Sequence, residues 1–183
     1  MQNPFRIGTR VYLRAVEKAD AGLVARWAND ERVTRTVLMH RPMSVGAEEA
    51  FLEESGSPSM ILLAIVTTAE QHIGMLGLHD IDPKNQKALL GMMIGEVSEW
   101  GKGYGTEALA LALGFAFETL NLARVYLEVF PDNVHAIRLY ERAGFVREGV
   151  FRQHVFRLGG FSNVLYMGLL RSEWRARAAA TAT

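Results

Sequence analysis

The chain has 183 residues, 49% apolar and 22% charged, which is the balance of an ordinary soluble globular domain. Its twenty basic and twenty acidic residues cancel, so global charge gives no reason to expect nucleic acid or an anionic membrane as partner. It has no cysteine, which excludes disulfides, thiolate metal sites and a cysteine nucleophile, and suits a cytoplasmic location. The N-terminus lacks the apolar core of a signal peptide. The longest apolar run, Ala108 to Phe117, is shorter than the roughly 20 residues of a membrane span.

In chain order, Val11 to Val16 alternates as a strand, and Asp20 opens a helix carrying Leu23, Val24 and Trp27. Ser44 is a good N-cap for a second helix to Glu54, and Gly56-Ser57-Pro58-Ser59 breaks the chain after it. Strands are expected over Ile61–Thr67, His72–Leu78 and Lys87–Ile94, antiparallel because short turns join them. Thr106 to Leu120 is apolar nearly all round, the signature of a helix buried against a sheet. A strand follows at Arg124–Phe130, then a helix at Asn133–Ala143 stopped by Gly144. Phe145–Phe151 and Ser162–Leu169 form a final hairpin turned at Gly159-Gly160, an edge that a second subunit could pair with to make a homodimer. One domain over 1–174 is expected, with 175–183 as a frayed tail. Strands ahead of and between packed helices make the fold class mixed α/β or α+β.

Two places carry chemistry. Gly101-Lys102-Gly103-Tyr104-Gly105-Thr106 leads into the long helix, and a glycine-rich turn at a helix N-terminus presents unpaired N–H groups suited to phosphate. It matches neither a P-loop nor the dinucleotide fingerprint. Downstream, Asn133 and Tyr140 lie two turns apart on one helix face, and Glu128 stands on the strand that delivers that helix. A carboxylate, an amide and a phenol are therefore expected to line one cleft. Each has a plainer reading: Asn133 as an N-cap, Tyr140 as core, Glu128 as an ion-pair partner of Arg124 or Arg138. Lys102 reads as an exposed residue with incidental attraction to phosphate. His79, Asp80 and Asp82 fit turn chemistry better than a metal site, and His79 could line an acceptor pocket. The acids Glu48, Glu49, Glu53 and Glu54 could attract a cation or simply form a solvated helix face.

Trp100-Gly101-Lys102-Gly103-Tyr104-Gly105, followed by Asn133, Tyr140 and Gly144-Phe145, resembles the acyl-CoA pyrophosphate loop and following segment of the GNAT superfamily of N-acetyltransferases. The order of elements is similar over nearly the whole chain, with ribosomal-protein alanine and spermidine acetyltransferases as the nearest subgroup. The resemblance implies a mixed, mostly antiparallel sheet with helices on both faces, splayed where the cofactor enters. It implies acetyl-CoA as co-substrate, no metal, and transfer to a primary amine by direct attack in a ternary complex. The cofactor would be held by Met92, Met93, Ile94, Gly101, Lys102, Gly103, Tyr104, Gly105, Thr106, Asn133 and Tyr140. Glu128 would act as base, directly or through a water, and Tyr140 as acid to the departing thiolate. The leading acceptor is a protein N-terminus of the ribosomal type. The alternatives are a small amine, such as a polyamine, amino sugar or aminoglycoside, or a non-catalytic acyl-CoA-binding module. The family usually carries Gln or Arg in place of Trp100, and the loop from Ile94 to Trp100 is one residue longer than usual.

Overall fold

The computed structural model describes residues 1–38, 41–54 and 57–181. The expected break at Gly56, and the last residues of the tail, lie outside them. Eight strands form one sheet: β1 (Arg6–Ile7), β2 (Val11–Ala15), β3 (Ile61–Thr67), β4 (His72–Asp82), β5 (Lys87–Ile94), β6 (Arg124–Val129), β7 (Val146–Arg157) and β8 (Gly160–Leu170). Their order is β1-β2-β3-β4-β5-β6-β8-β7. Every pairing is antiparallel except β5 with β6, which a long helical crossover connects.

That parallel pair shapes the molecule. β5 and β6 are in register only from Lys87↔Arg124 to Leu89↔Tyr126 and then part. Among the described residues, the β6-facing edge of β5 has no ladder partner from Leu90 to Ile94, and a wedge opens between the two strands. The sheet is splayed there, as the resemblance implied.

Helices cover both faces. On one lie α4 (Tyr104–Gly114) and α5 (Val134–Ala143), packed on Leu76, Leu78, Leu90, Val125, Leu127, Met167 and Leu169. On the other, α1 (Ala21–Ala28) and α3 (Val45–Glu54) enclose a smaller core of Trp27, Leu52, Leu62 and Met75. Between them runs the short α2 (Glu31–Thr34), capped by the Asp30 carboxylate, which accepts from the Arg32 N–H at 2.9 Å. Ser44 caps α3 by accepting from the Ala47 N–H at 3.1 Å.

Several elements depart from the sequence expectation, and β4 runs four residues past Leu78, to Asp82. The long helix is regular only to Gly114, and Phe115–Thr119 widens into π geometry. The final hairpin is longer than expected, because Leu158 and Gly159 (φ 51° and 79°) make a two-residue turn whose twist suits long strands. Phe156 and Phe161 then face each other across it, with ring centroids 5.3 Å apart. The tail is not frayed over its described part: Arg171–Thr181 forms α6. Its Ala and Arg residues have high helix propensity, and Trp174 anchors it against Phe117, 5.4 Å between centroids.

Candidate active site

The glycine turn sits at the N-terminus of α4, beside the wedge. Gly101 and Gly103 have φ of 75° and 85°, left-handed values that glycine adopts without steric cost. Gly103 is the N-cap, and its carbonyl accepts from the Thr106 N–H at 3.1 Å. Among the described residues, no backbone carbonyl accepts from the N–H groups of Gly101 through Gly105. Gly105 lies beside Leu139, Met92 and Ile94: a Cβ there would meet them at 3.4, 3.7 and 3.8 Å, ordinary packing distances. The structure thus brings the glycine turn, the end of β5 and α5 together. Lys102 turns away, its ammonium on both oxygens of Glu99 at 3.0 Å.

Sequence reasoning missed Arg10. Its Nη1 donates to the Lys102 carbonyl at 2.9 Å, its Nη2 to the Gly103 carbonyl at 3.4 Å, and its Nε to Glu107 at 3.2 Å. By occupying the carbonyl side of the turn, Arg10 leaves the opposite, N–H side for a ligand. Ninety-two residues separate Arg10 from Lys102, and no local pattern announces such a contact. Trp100 has an equally local task. Its indole Nε1 donates to the Ile94 carbonyl at 2.7 Å, and a short 3₁₀ turn at Val97–Glu99 absorbs the extra loop length. β5 therefore ends at Ile94, as expected.

Asn133 caps α5 by accepting from the Ala136 N–H at 3.2 Å, and its amide nitrogen donates to the Thr36 carbonyl at 3.4 Å. Gly144 (φ 106°) stops the helix. Tyr140 is buried against the core, 5.7 Å from the ring of Phe145, and burial pushes its hydroxyl pKa up to about 12.

The expected single cleft lined by Glu128 and Tyr140 needs correction. Tyr140 packs in one core with Val125, Leu127 and Val129. Side chains alternate along a strand, so Glu128, between Leu127 and Val129, projects from the other face. Tyr140 and Glu128 flank the wedge from opposite sides. Met92 and Ile94 face the α4–α5 side with Tyr140, whereas Met93 packs toward Trp27 and Met75 with Glu128's side. Arg124 is not Glu128's partner; it pairs with Glu148. Beside Glu128 the rings of Tyr126 and Tyr166 stack at 5.3 Å. The acids of α3 divide: Glu49 and Glu53 bind Lys18 at 3.5 and 2.8 Å, Glu48 is buried, and the Glu54 side chain lies outside the described residues. Among the described residues, no three His, Asp or Glu side chains converge as metal ligands, and no helix is long and apolar enough to cross a membrane.

The wedge thus has a glycine turn with free N–H groups at one wall and, among the described residues, an unpaired strand edge at the other. Residues 10–146 match the family model described as acetyltransferase (GNAT) domain. The chain is 30% identical to the uncharacterized N-acetyltransferase p20 of Bacillus licheniformis, over 90% of its own length and 95% of the relative's. It is 37% identical to YdaF of Bacillus subtilis, named a putative ribosomal N-acetyltransferase, over 55% of each chain. The crystal structure of spermidine N-acetyltransferase from Vibrio cholerae in complex with CoA and spermine superposes with a TM-score of 0.86 at 25% identity, covering 92% of this chain and 99% of that one. The chain belongs to the GNAT acetyltransferase family. It is an acetyl-CoA-dependent N-acetyltransferase.

Proposed function

We propose that the acceptor is a small cationic amine of the polyamine type, acetylated by direct attack in a ternary complex. One observation carries this reading: the face of the wedge away from α4 and α5 presents the Glu128 carboxylate beside the stacked rings of Tyr126 and Tyr166. Negative charge next to aromatic faces is the chemistry that holds an ammonium group. The likeness to an enzyme named for spermidine supports it. The likeness to YdaF keeps a protein N-terminus as the second reading.

The residues fit the cofactor. Five N–H groups free of backbone partners at a helix N-terminus suit a pyrophosphate, and the unpaired edge of Met92, Met93 and Ile94 suits an amide-bearing arm laid along it as an added strand. Bound acetyl-CoA supplies the thioester. Gly101, Lys102, Gly103, Tyr104 and Gly105 would hold its phosphates through their main-chain N–H groups, with Asn133 at the neighbouring helix start; the Thr106 N–H is already taken by the Gly103 carbonyl. A backbone N–H at the end of β5 steadies the charge that develops on the carbonyl oxygen. Glu128 draws the cationic acceptor to its side. Tyr140, kept protonated by burial, gives a proton to the departing sulfur from the other side.

The test is thiol release from acetyl-CoA with spermidine, an aminoglycoside and an Ala-initiated peptide offered in parallel. The proposal expects spermidine to be turned over with the highest kcat/KM. Faster turnover of the peptide would transfer the assignment to a protein N-terminus.

A further inference from the structure

The sequence reading gives the amine's proton to Glu128, and the structure places a second proton acceptor on the same face. His79 ends the regular part of β4. Its register partner is Leu89, and Leu89 pairs in turn with Tyr126. In-register neighbours share a face, so His79, Leu89, Tyr126 and, two residues on, Glu128 all project from the acceptor side. Two glycines clear the space that the imidazole fills. A Cβ on Gly77 would fall 2.3 Å from its Nε2, and one on Gly91 would fall 3.3 Å from it. Gly91 lies just past the point where β5 parts from β6, so this nitrogen is held at the mouth of the wedge. A β-bulge follows at once, with Asp80 at φ 48°, and bulges of this kind re-aim side chains beside active sites.

The ring is also unengaged. Among the described residues none forms a hydrogen bond with either nitrogen, and neither is sealed from solvent, since Trp27 Nε1 is the one buried side-chain N or O atom there without a partner. Burial lowers the pKa below its ordinary value of about 6.5, with Asp80 opposing, so the imidazole is neutral at pH 7. Asp80 on its own strand is the charged group that acts on it, and Tyr126 and Glu128 are the titratable groups on the same face of β6, one strand beyond Leu89. Leu62 of β3 lies beside the same gap over Gly77, and Leu89 of β5 is the register partner.

We propose that His79 takes the proton from the attacking amine, with Glu128 attracting the cation rather than acting as the base. This rests on the amine-acceptor reading above. An entering ammonium sheds one proton to solvent. The neutral nitrogen then bonds to the thioester carbonyl carbon and the C–S bond breaks. The surplus proton on nitrogen passes to the free imidazole nitrogen, and the sulfur takes the proton of Tyr140. Imidazolium and phenolate then equalise through solvent, leaving an amide and a thiol.

The test compares His79→Gln and Glu128→Gln, with His79→Asn as a second variant at the site. For the wild type, log kcat/KM for the amine should fall with a slope of about one as free amine is lost, steepening to about two below the imidazole pKa. His79→Gln should lose the second break and lower kcat/KM at pH 7 by about 10²-fold, whereas Glu128→Gln should raise KM and keep the break. Retention of the break and of wild-type kcat/KM in both His79 variants would overturn the proposal, as would its loss in Glu128→Gln alone. A readout independent of turnover is the His79 imidazole resonance, followed by NMR in the protein–CoA complex as spermidine is added. It should titrate below about pH 6.5 and move with the amine. If no amine is acetylated, the acceptor reading fails by itself, and an imidazole indifferent to spermidine would overturn the His79 assignment separately.

Discussion

Tyr140 combines two properties that ordinary core tyrosines need not share: it is buried, and it neighbours Leu139, which touches the start of α4. With its pKa at about 12 it is a donor throughout the physiological range. Tyr140→Phe should lower kcat by about 10²-fold or more while acetyl-CoA binding, measured by calorimetry, stays within a few-fold of wild type. Gly103 is constrained differently. At φ 85°, and with Arg10 Nη2 3.1 Å from where a Cβ would sit, Gly103→Ala carries a left-handed strain of about 1–2 kcal/mol. The expected result is about a tenfold weaker Kd for acetyl-CoA with unchanged affinity for the acceptor, read in the same titration. Both residues stand out in the sequence because the features that mark them are local: a glycine turn, and a spacing of two helical turns. The side of the sheet on which each acts was not legible there, because it depends on which strand face packs against α5.

The glycine turn is an element held from outside itself. Arg10 ties the Lys102 and Gly103 carbonyls to the start of β2, and Trp100 ties the loop to the end of β5. Arg10 is exposed and its ion pair with Glu107 contributes little to stability, so Arg10→Ala should shift Tm by no more than a few degrees. It should still raise KM for acetyl-CoA several-fold, because the N–H groups of Gly101–Gly105 lose their fixed orientation. A change in Tm without a change in KM would show that the turn holds its shape alone. Most elements followed from period and punctuation: β3 and β5 have the expected bounds, and Asn133 and Gly144 cap α5. The hairpin and the tail did not. The hairpin is extended by the pair Phe156–Phe161 across the Leu158-Gly159 turn, and the tail, helical by propensity, is fixed in place only by Trp174 meeting Phe117, a long-range contact.

Across the whole molecule, a buried ionic network fastens the N-terminal strand to the sheet centre. Arg14 binds Asp20 through two 2.7 Å hydrogen bonds, and His72 Nδ1 lies 3.1 Å from the same carboxylate. The Arg14 and His72 side chains and the Glu17 N–H hold the Asp20 carboxyl far below its ordinary range, against the opposing effect of burial. A depressed folded-state pKa stabilises above the unfolded value of about 3.9, and that stability is lost as pH falls toward the folded one. His79 acts in the same direction at higher pH, because partial burial of the imidazole disfavours its protonation in the folded state below about pH 6.5. Denaturant midpoints should therefore decline in two stages on acidification, the first absent in His79→Gln. Asp20→Ala should cost about 3 kcal/mol at pH 7, since it leaves the Arg14 charge buried without its partner.

Sequence alone determined the family and the acyl donor, because glycine turns, helix caps and strand periods are short-range and their order along the chain is itself a pattern. It also determined which residue types were available for acid–base work. Tertiary structure decided how they are divided. The parting of β5 and β6 after Leu89↔Tyr126 makes the wedge, and strand alternation sends Tyr140 and Glu128 to its opposite sides. The same alternation, with glycine at 77 and 91, puts His79 on the same face of the sheet as Glu128. Register and face are set by pairings between segments far apart in the chain, so they exist only once the sheet has formed.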